Sequence, residues 1–144
     1  MFDTVEIKIS SDPKFLKIVR SGVDHLCKIC GFNKEVRHSI TLAVNEATSN
    51  IIKHAYRNAK DKPIIITCCI GNGRLEIVLR DFGIKVDPKK IKSRKLEDIK
   101  PGGLGVHIIK SIMDVVIYDN LVKEGNQLTL VKYLPDKEGR NVKA

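Results

Sequence analysis

The stretch that most constrains this chain is residues 42–56, LAVNEATSNIIKHAY, in which Glu46, Asn50 and His54 recur at four-residue steps. On a helix that spacing puts the three side chains on one face. The same segment carries Leu42, Val44, Ala47, Ile51 and Ile52, so it is expected to lie against a core, where an unpaired carboxylate or carboxamide is costly. A polar group from elsewhere must therefore meet Glu46 and Asn50.

The rest of the pattern supplies the layers. Residues 4–10 alternate Val5, Ile7 and Ile9 with polar residues, which predicts a strand with one buried face, at or near a sheet edge. Ser10, Ser11 and Asp12 before Pro13 signal a helix start, and Phe15, Leu16, Val19, Val23, Leu26 and Cys27 then recur at helical spacing until Gly31. Asn33 is placed to cap a second helix with Val36, Ile40, Val44, Ala47 and Ile51 on its apolar side, running to about Arg57. Residues 64–70 and 74–80 read as strands joined through Gly71-Asn72-Gly73, a hairpin.

Residues 81–105 are basic and punctuated by Gly and Pro, a long loop of the kind that covers ligands. Residues 106–113 then read as a helix started by the preceding glycines, and residues 114–118 and 128–134 as closing strands. The order β, α, α, β, β, loop, α, β, β predicts an α/β fold, a two-layer sandwich whose mixed, mainly antiparallel sheet is covered on one face by three helices. With 144 residues, one domain is expected over residues 1–135, followed by a frayed tail at 136–144.

Composition narrows the function classes. A net charge of +9 attracts any polyanion without selecting one. Aromatic residues make up only 5% and Trp is absent, so a stacking platform for single strands is missing and no direct nucleic-acid partner is expected. No apolar run is long enough to cross a bilayer, and the N-terminus lacks a signal-peptide pattern, so the expectation is a cytoplasmic protein without a membrane partner. Cys27 and Cys30 fall in an amphipathic helical pattern, whereas the adjacent Cys68 and Cys69 fall in a strand and point to opposite faces. The four read as reduced thiols rather than one zinc site.

Three polar clusters stand out against the apolar pattern: Glu46 with Asn50, then Asp81-Phe82-Gly83, then Gly102-Gly103-Leu104-Gly105 before a helix. Taken singly, the first is more often a solvated helix face or a capping residue and the second more often a turn. The third suits either a turn or a phosphate, because bare amides and a helix dipole favour an anion.

In this order the clusters resemble the GHKL ATP-binding superfamily, with ExxxN as its N box, DxG as its first glycine box and GxG as its second. LxxxExxxNxxxHxY, DxGxxxDP, PGGxGxxIIxxxMD and the closing GNxLTLxK are most similar to the stand-alone anti-sigma-factor serine kinases of the RsbW and SpoIIAB type, over about residues 4–134. The resemblance implies a Bergerat-type sandwich with ATP and Mg²⁺ as cofactors. Asn50 would be the metal ligand, Asp81 would accept a hydrogen bond from the adenine amino group, and Gly83 would let backbone approach the base. Gly103, Leu104, Gly105 and Val106 would bring amides to the phosphates. Glu46 would act as general base toward a serine or threonine hydroxyl of an antagonist protein. His54 reads as a structural residue closing the helix, and Lys89, Lys90, Lys92, Arg94 and Lys95 as a basic lid.

The chain departs from the superfamily pattern at two positions. Lys85 replaces a second glycine after DxG, and Asn126 follows Gly125 where many members carry a threonine, so the threonine's hydrogen bond is lost or replaced. The function implied is an ATP-dependent serine/threonine kinase acting as an anti-sigma factor in a partner-switching system, with a sigma factor and a STAS-type antagonist as partners and a homodimer as assembly. Two alternatives stand beside it. One is a non-catalytic ATP- or ADP-binding switch, and the other a nucleic-acid-binding domain drawn from the charge, which predicts strongly salt-dependent affinity.

Overall fold

A computed structural model of the protein describes residues 2–87, 89 and 101–135, and for residues 101–105 the backbone alone. Strand β1 (Asp3–Ser10) leads through a short 3₁₀ turn into helix α1 (Leu16–Cys30), followed by α2 (Lys34–Asn50). The hairpin strands β2 (Pro63–Gly71) and β3 (Arg74–Asp81) come next, then α3 (Pro101–Ile112), β4 (Val115–Asp119) and β5 (Asn126–Tyr133).

Side chains at the element ends explain where the elements begin. Asp12 accepts from the Lys14 amide at 3.0 Å, next to Pro13. The Asn33 carboxamide oxygen accepts from the Val36 amide at 2.9 Å, satisfying one of the open donors at the start of α2. In the hairpin, Asn72 has φ of 52°, the left-handed conformation that lets a two-residue turn match the twist of its strands, and Gly71 pairs with Arg74.

The strands form one sheet in the order β1-β2-β3-β5-β4, and all four pairings are antiparallel. The expectation of a mixed sheet is corrected by this topology. The crossover from β3 through α3 to β4 skips one place, which β5 then fills. Strands β3 and β4 therefore run the same way without touching, and β5 opposes both. Asp81 at the end of β3 is thereby paired with Asn126 at the start of β5.

One face of the sheet is buried under the helices, with α2 packed between α1 and α3. Ile64, Ile66, Cys68, Leu75, Ile77, Leu79 and Leu130 alternate onto that face, against Val19, Val23, Ile40, Val44 and Ile109 of the helices. The free edge is covered less completely. Of β1 only Ile9 is buried, and Val5, expected on a buried face, is 39% exposed because the helical layer does not reach the far end of an edge strand. Burial pushes the Cys27 and Cys68 thiols up to about 12, so both pack as neutral, small hydrophobic groups.

Two helix boundaries differ from expectation. The second helix keeps α geometry only to Asn50 and finishes in a π turn at Ile51–Ala55, where the Tyr56 amide donates to the Ile51 carbonyl at 3.0 Å. The third begins at Pro101 rather than near Val106, since a proline costs nothing at a helix start, where its missing N–H has no partner to lose. Gly102, Gly103 and Gly105 thus belong to the first turns of α3. Lys90, Lys92, Arg94 and Lys95 of the expected lid, and the tail at 136–144, lie outside the described residues. Among the described residues, no helix is long and apolar enough to cross a membrane.

Candidate functional site

The end of α2 and the adjoining ends of β3, β5 and β4 line an open cleft. Ala47, Asn50 and Ile51 line it from the helix side, Asp81 and Asn126 from the sheet. The walls are otherwise mostly apolar, so each polar atom in them carries a cost unless something pairs with it.

Asn50 carries such a cost. The residue is 9% exposed, and its Oδ1 is buried with no hydrogen-bond partner among the described residues. An orphaned carbonyl oxygen of this kind destabilises by about 1–3 kcal/mol. Its position in the cleft makes it an acceptor ready for a cation or a donor.

Asp81 is 1% exposed. Its Oδ1 accepts the Gly83 amide at 3.0 Å and the Asn126 side-chain amide at 3.1 Å, whereas Oδ2 receives no bond from the described residues. Burial pushes the carboxyl above the ordinary carboxylate value, against the pull of the Gly83 amide, Asn126 and the Arg80 guanidinium. The carboxyl is thus held rigidly by one oxygen and offers the other.

The turn after Asp81 is fixed from three sides. The Phe82 amide donates to the Tyr56 hydroxyl at 2.8 Å, and that hydroxyl donates to the Pro63 carbonyl at 2.5 Å. The Ile84 amide donates at 2.9 Å to the Ala55 carbonyl, at the end of the π turn. A π turn of this sort often marks a functional site, and here it brings a carbonyl to the loop that positions Asp81. Gly83 passes so close that an added Cβ would strike the Ala55 carbonyl, so glycine is required for this approach.

Asn126 completes the arrangement. Its Oδ1 accepts the Val86 amide at 2.9 Å, and its Nδ2 donates both to Asp81 and to the Ile84 carbonyl at 2.8 Å. The carboxamide that stands at the threonine position ties the whole 81–86 turn together. Sequence reasoning did not assign Asn126 to the site. The departure at that position was the available signal, a polar residue directly after Gly125 in an otherwise apolar strand start.

The other expected site residues lie around the cleft rather than in its lining. Glu46 is half-buried, one turn before Asn50, and accepts no hydrogen bond from the described residues. Val106 is fully buried in α3, and the backbone of Gly103, Leu104 and Gly105 forms the turns before it. His54 is half-buried in the π turn, and Lys89 is exposed with its amide on Asp87 at 2.9 Å. Among the described residues, no cluster of three or more His, Cys, Asp or Glu side chains could hold a metal.

The profile of the histidine kinase-like ATPase domain matches residues 9–132, which takes in α1, α2, the cleft and β5. The chain belongs to that family. Its relatives include the serine-protein kinase RsbW of Oceanobacillus iheyensis, 28% identical over 95% of this chain and 90% of the relative. The RsbW proteins of Listeria monocytogenes, 27% identical over 96% and 92%, and of Bacillus subtilis, 26% over 92% and 86%, are similar in the same way. A solved structure of the RsbU and RsbW domains of Rv1364c from Mycobacterium tuberculosis superposes with a TM-score of 0.65 at 15% identity. It covers 92% of this chain and 32% of that one, and shows the shared fold. The protein is thus an RsbW-like member of the histidine kinase-like ATPase domain family, and the Asn50–Asp81 cleft lies within the matched region.

Proposed function

We propose that this protein is an ATP-dependent serine/threonine protein kinase that acts as an anti-sigma factor, phosphorylating a STAS-type antagonist in a partner-switching system. The observation that carries the reading is the pairing of two acceptors in one apolar cleft, the buried and partnerless Asn50 Oδ1 and the carboxyl of Asp81, which is 1% exposed. An acceptor-only carboxylate suits the exocyclic amine of adenine. The Asn50 oxygen fits Mg²⁺, a hard cation that takes few protein ligands and completes its shell with phosphate oxygens and water. Mg-ATP, when bound, supplies the transferred phosphoryl group.

The chain's own residues would do the rest. Gly83, held by Ala55, keeps Asp81 aimed at the base. Gly103, Leu104, Gly105 and Val106 would bring the start of α3, with the positive end of its dipole, toward phosphate. Glu46, one helical turn from Asn50, would take the proton from a serine or threonine hydroxyl of the partner. A sigma factor is the second partner proposed, the cytoplasm the compartment, and a homodimer the assembly.

The test is phosphotransfer from γ-labelled Mg-ATP to proteins of a bacterial lysate, with wild type beside Glu46→Ala. A single small labelled protein seen only with wild type is the expected result. One observation favours the alternative of a nucleotide-binding switch without transfer: Glu46 does not line the cleft. Tight Mg-ATP binding with no label in any band would decide for that alternative.

A further inference from the structure

Tyr118 lies on β4 and is paired with Leu128 of β5. Both line the cleft, on the sheet face that carries Leu79 and Asp81. The Tyr118 hydroxyl is buried and has no hydrogen-bond partner among the described residues. A buried hydroxyl in that state destabilises the empty protein, whereas a phenylalanine would fill the same wall without it. Strand spacing puts the Cα atoms of Tyr118 and Asp81 on the order of 12 Å apart, two strands across and one pleat repeat along. They stand at opposite sides of the cleft floor. Burial pushes the phenol up to about 12, so it keeps its proton near neutrality and acts as a donor.

We propose that Tyr118 is a base-contacting residue of this cleft, its hydroxyl donating a hydrogen bond to a ring nitrogen of the bound adenine. The proposal rests on the nucleotide reading above. An adenine whose amino group meets Asp81 turns its remaining ring nitrogens toward the rest of the wall. Those atoms are acceptors only, matched to a donor that has no other partner.

Calorimetric titration of ATP and of ADP, with thermal melts of the nucleotide-free protein, should be run on wild type and Tyr118→Phe. The variant is expected to melt at the same or a higher temperature than wild type, and to bind ATP and ADP more weakly by a common factor, roughly three- to tenfold. Wild type that binds neither nucleotide would overturn the nucleotide reading itself. Binding by wild type with unchanged affinity in Tyr118→Phe would overturn the Tyr118 contact alone. A variant that melts lower would make the hydroxyl a structural group. Weaker binding of ATP with ADP unaffected would move the contact from the base to the terminal phosphate, against the proposal.

Discussion

Asn126 and Asp81, 45 residues apart in sequence, are joined by a 3.1 Å hydrogen bond from the carboxamide nitrogen to Oδ1. The same carboxamide takes the Val86 amide and gives to the Ile84 carbonyl, so one side chain fixes both the carboxylate and the turn that follows it.

Asn126→Ala is expected to lower stability by about 2–3 kcal/mol, since it removes three hydrogen bonds and leaves the Val86 amide without its acceptor. Asn126→Asp should be worse than its near-identical shape implies, because it sets a second carboxylate against Asp81. Its deficit should grow as pH rises through the carboxylate range. Urea denaturation of the three proteins at two pH values measures both effects, and equal stability of Asn126→Asp and wild type at neutral pH would refute the arrangement.

Asp81→Asn should separate folding from binding. An asparagine carbonyl can keep the Gly83 and Asn126 bonds at the Oδ1 position, while its amide nitrogen replaces the open acceptor with donors. Stability should hold within about 1 kcal/mol while ATP affinity falls at least roughly a hundredfold, the cost of turning an acceptor into a clashing donor in a dry site. Isothermal titration decides it, and wild-type affinity in the variant would remove Asp81 from base recognition.

The raised Asp81 value gives stability and binding opposite dependences on acid. In the empty protein the folded state holds this proton more tightly than the unfolded chain does. The stability Asp81 contributes is therefore complete below the unfolded carboxylate pKa and is lost as pH rises through the folded value. On the proposed contact between Asp81 and the adenine amino group, nucleotide binding needs the unprotonated acceptor, so affinity should be full above the folded value and fall as pH drops through it. ATP titrations across the acid range should show this fall beginning above the ordinary carboxylate pKa, and a pH-independent affinity down to that point would contradict it.

Gly125→Ala tests a backbone crossing. Gly125 has φ of 65°, and an added Cβ would strike the Asp81 carbonyl. Left-handed strain alone costs about 1–2 kcal/mol and the collision adds to it, so a loss beyond 2 kcal/mol is expected by denaturation. A neutral substitution would mean that the β5 start can move away from β3.

Tyr56→Phe removes a hydroxyl that accepts from Phe82 and donates to Pro63. The orphaned Phe82 amide should cost about 1–3 kcal/mol and loosen the turn that carries Asp81, weakening ATP binding alongside. A variant that loses stability but keeps full ATP affinity would show that Asp81 is held without this bridge.

Periodicity made most of the fold legible. The caps at Asp12 and Asn33, the hairpin at Asn72 and the helical stripe from Ile40 to Ile51 are local signals, and the structure places each where the residues require. Strand order is not a local signal. Whether β4 or β5 lies beside β3 depends on a crossover that no residue announces, and the mixed sheet was expected for that reason. Within the site, Asn50 and Asp81 were legible because polar residues are costly in apolar segments. Asn126 was not, because its role depends on a turn 40 residues earlier in the chain. Tyr118 read as one more β-former in a closing strand.

The place of β5 has a consequence for how the protein comes into being. The last of the described strands, β5, is an inner strand of the sheet, wedged between two that are synthesised before it. Until it docks, β3 and β4 have unsatisfied edges that face each other across a gap, and Asp81 has no Asn126. A nascent chain emerging from the ribosome can form the β1-β2-β3 portion and the first helices, but the cleft is assembled in one late step that spans long sequence separations. A chain interrupted before residue 126 lacks the Asn126 bond to Asp81 and presents exposed strand edges rather than a weakened site.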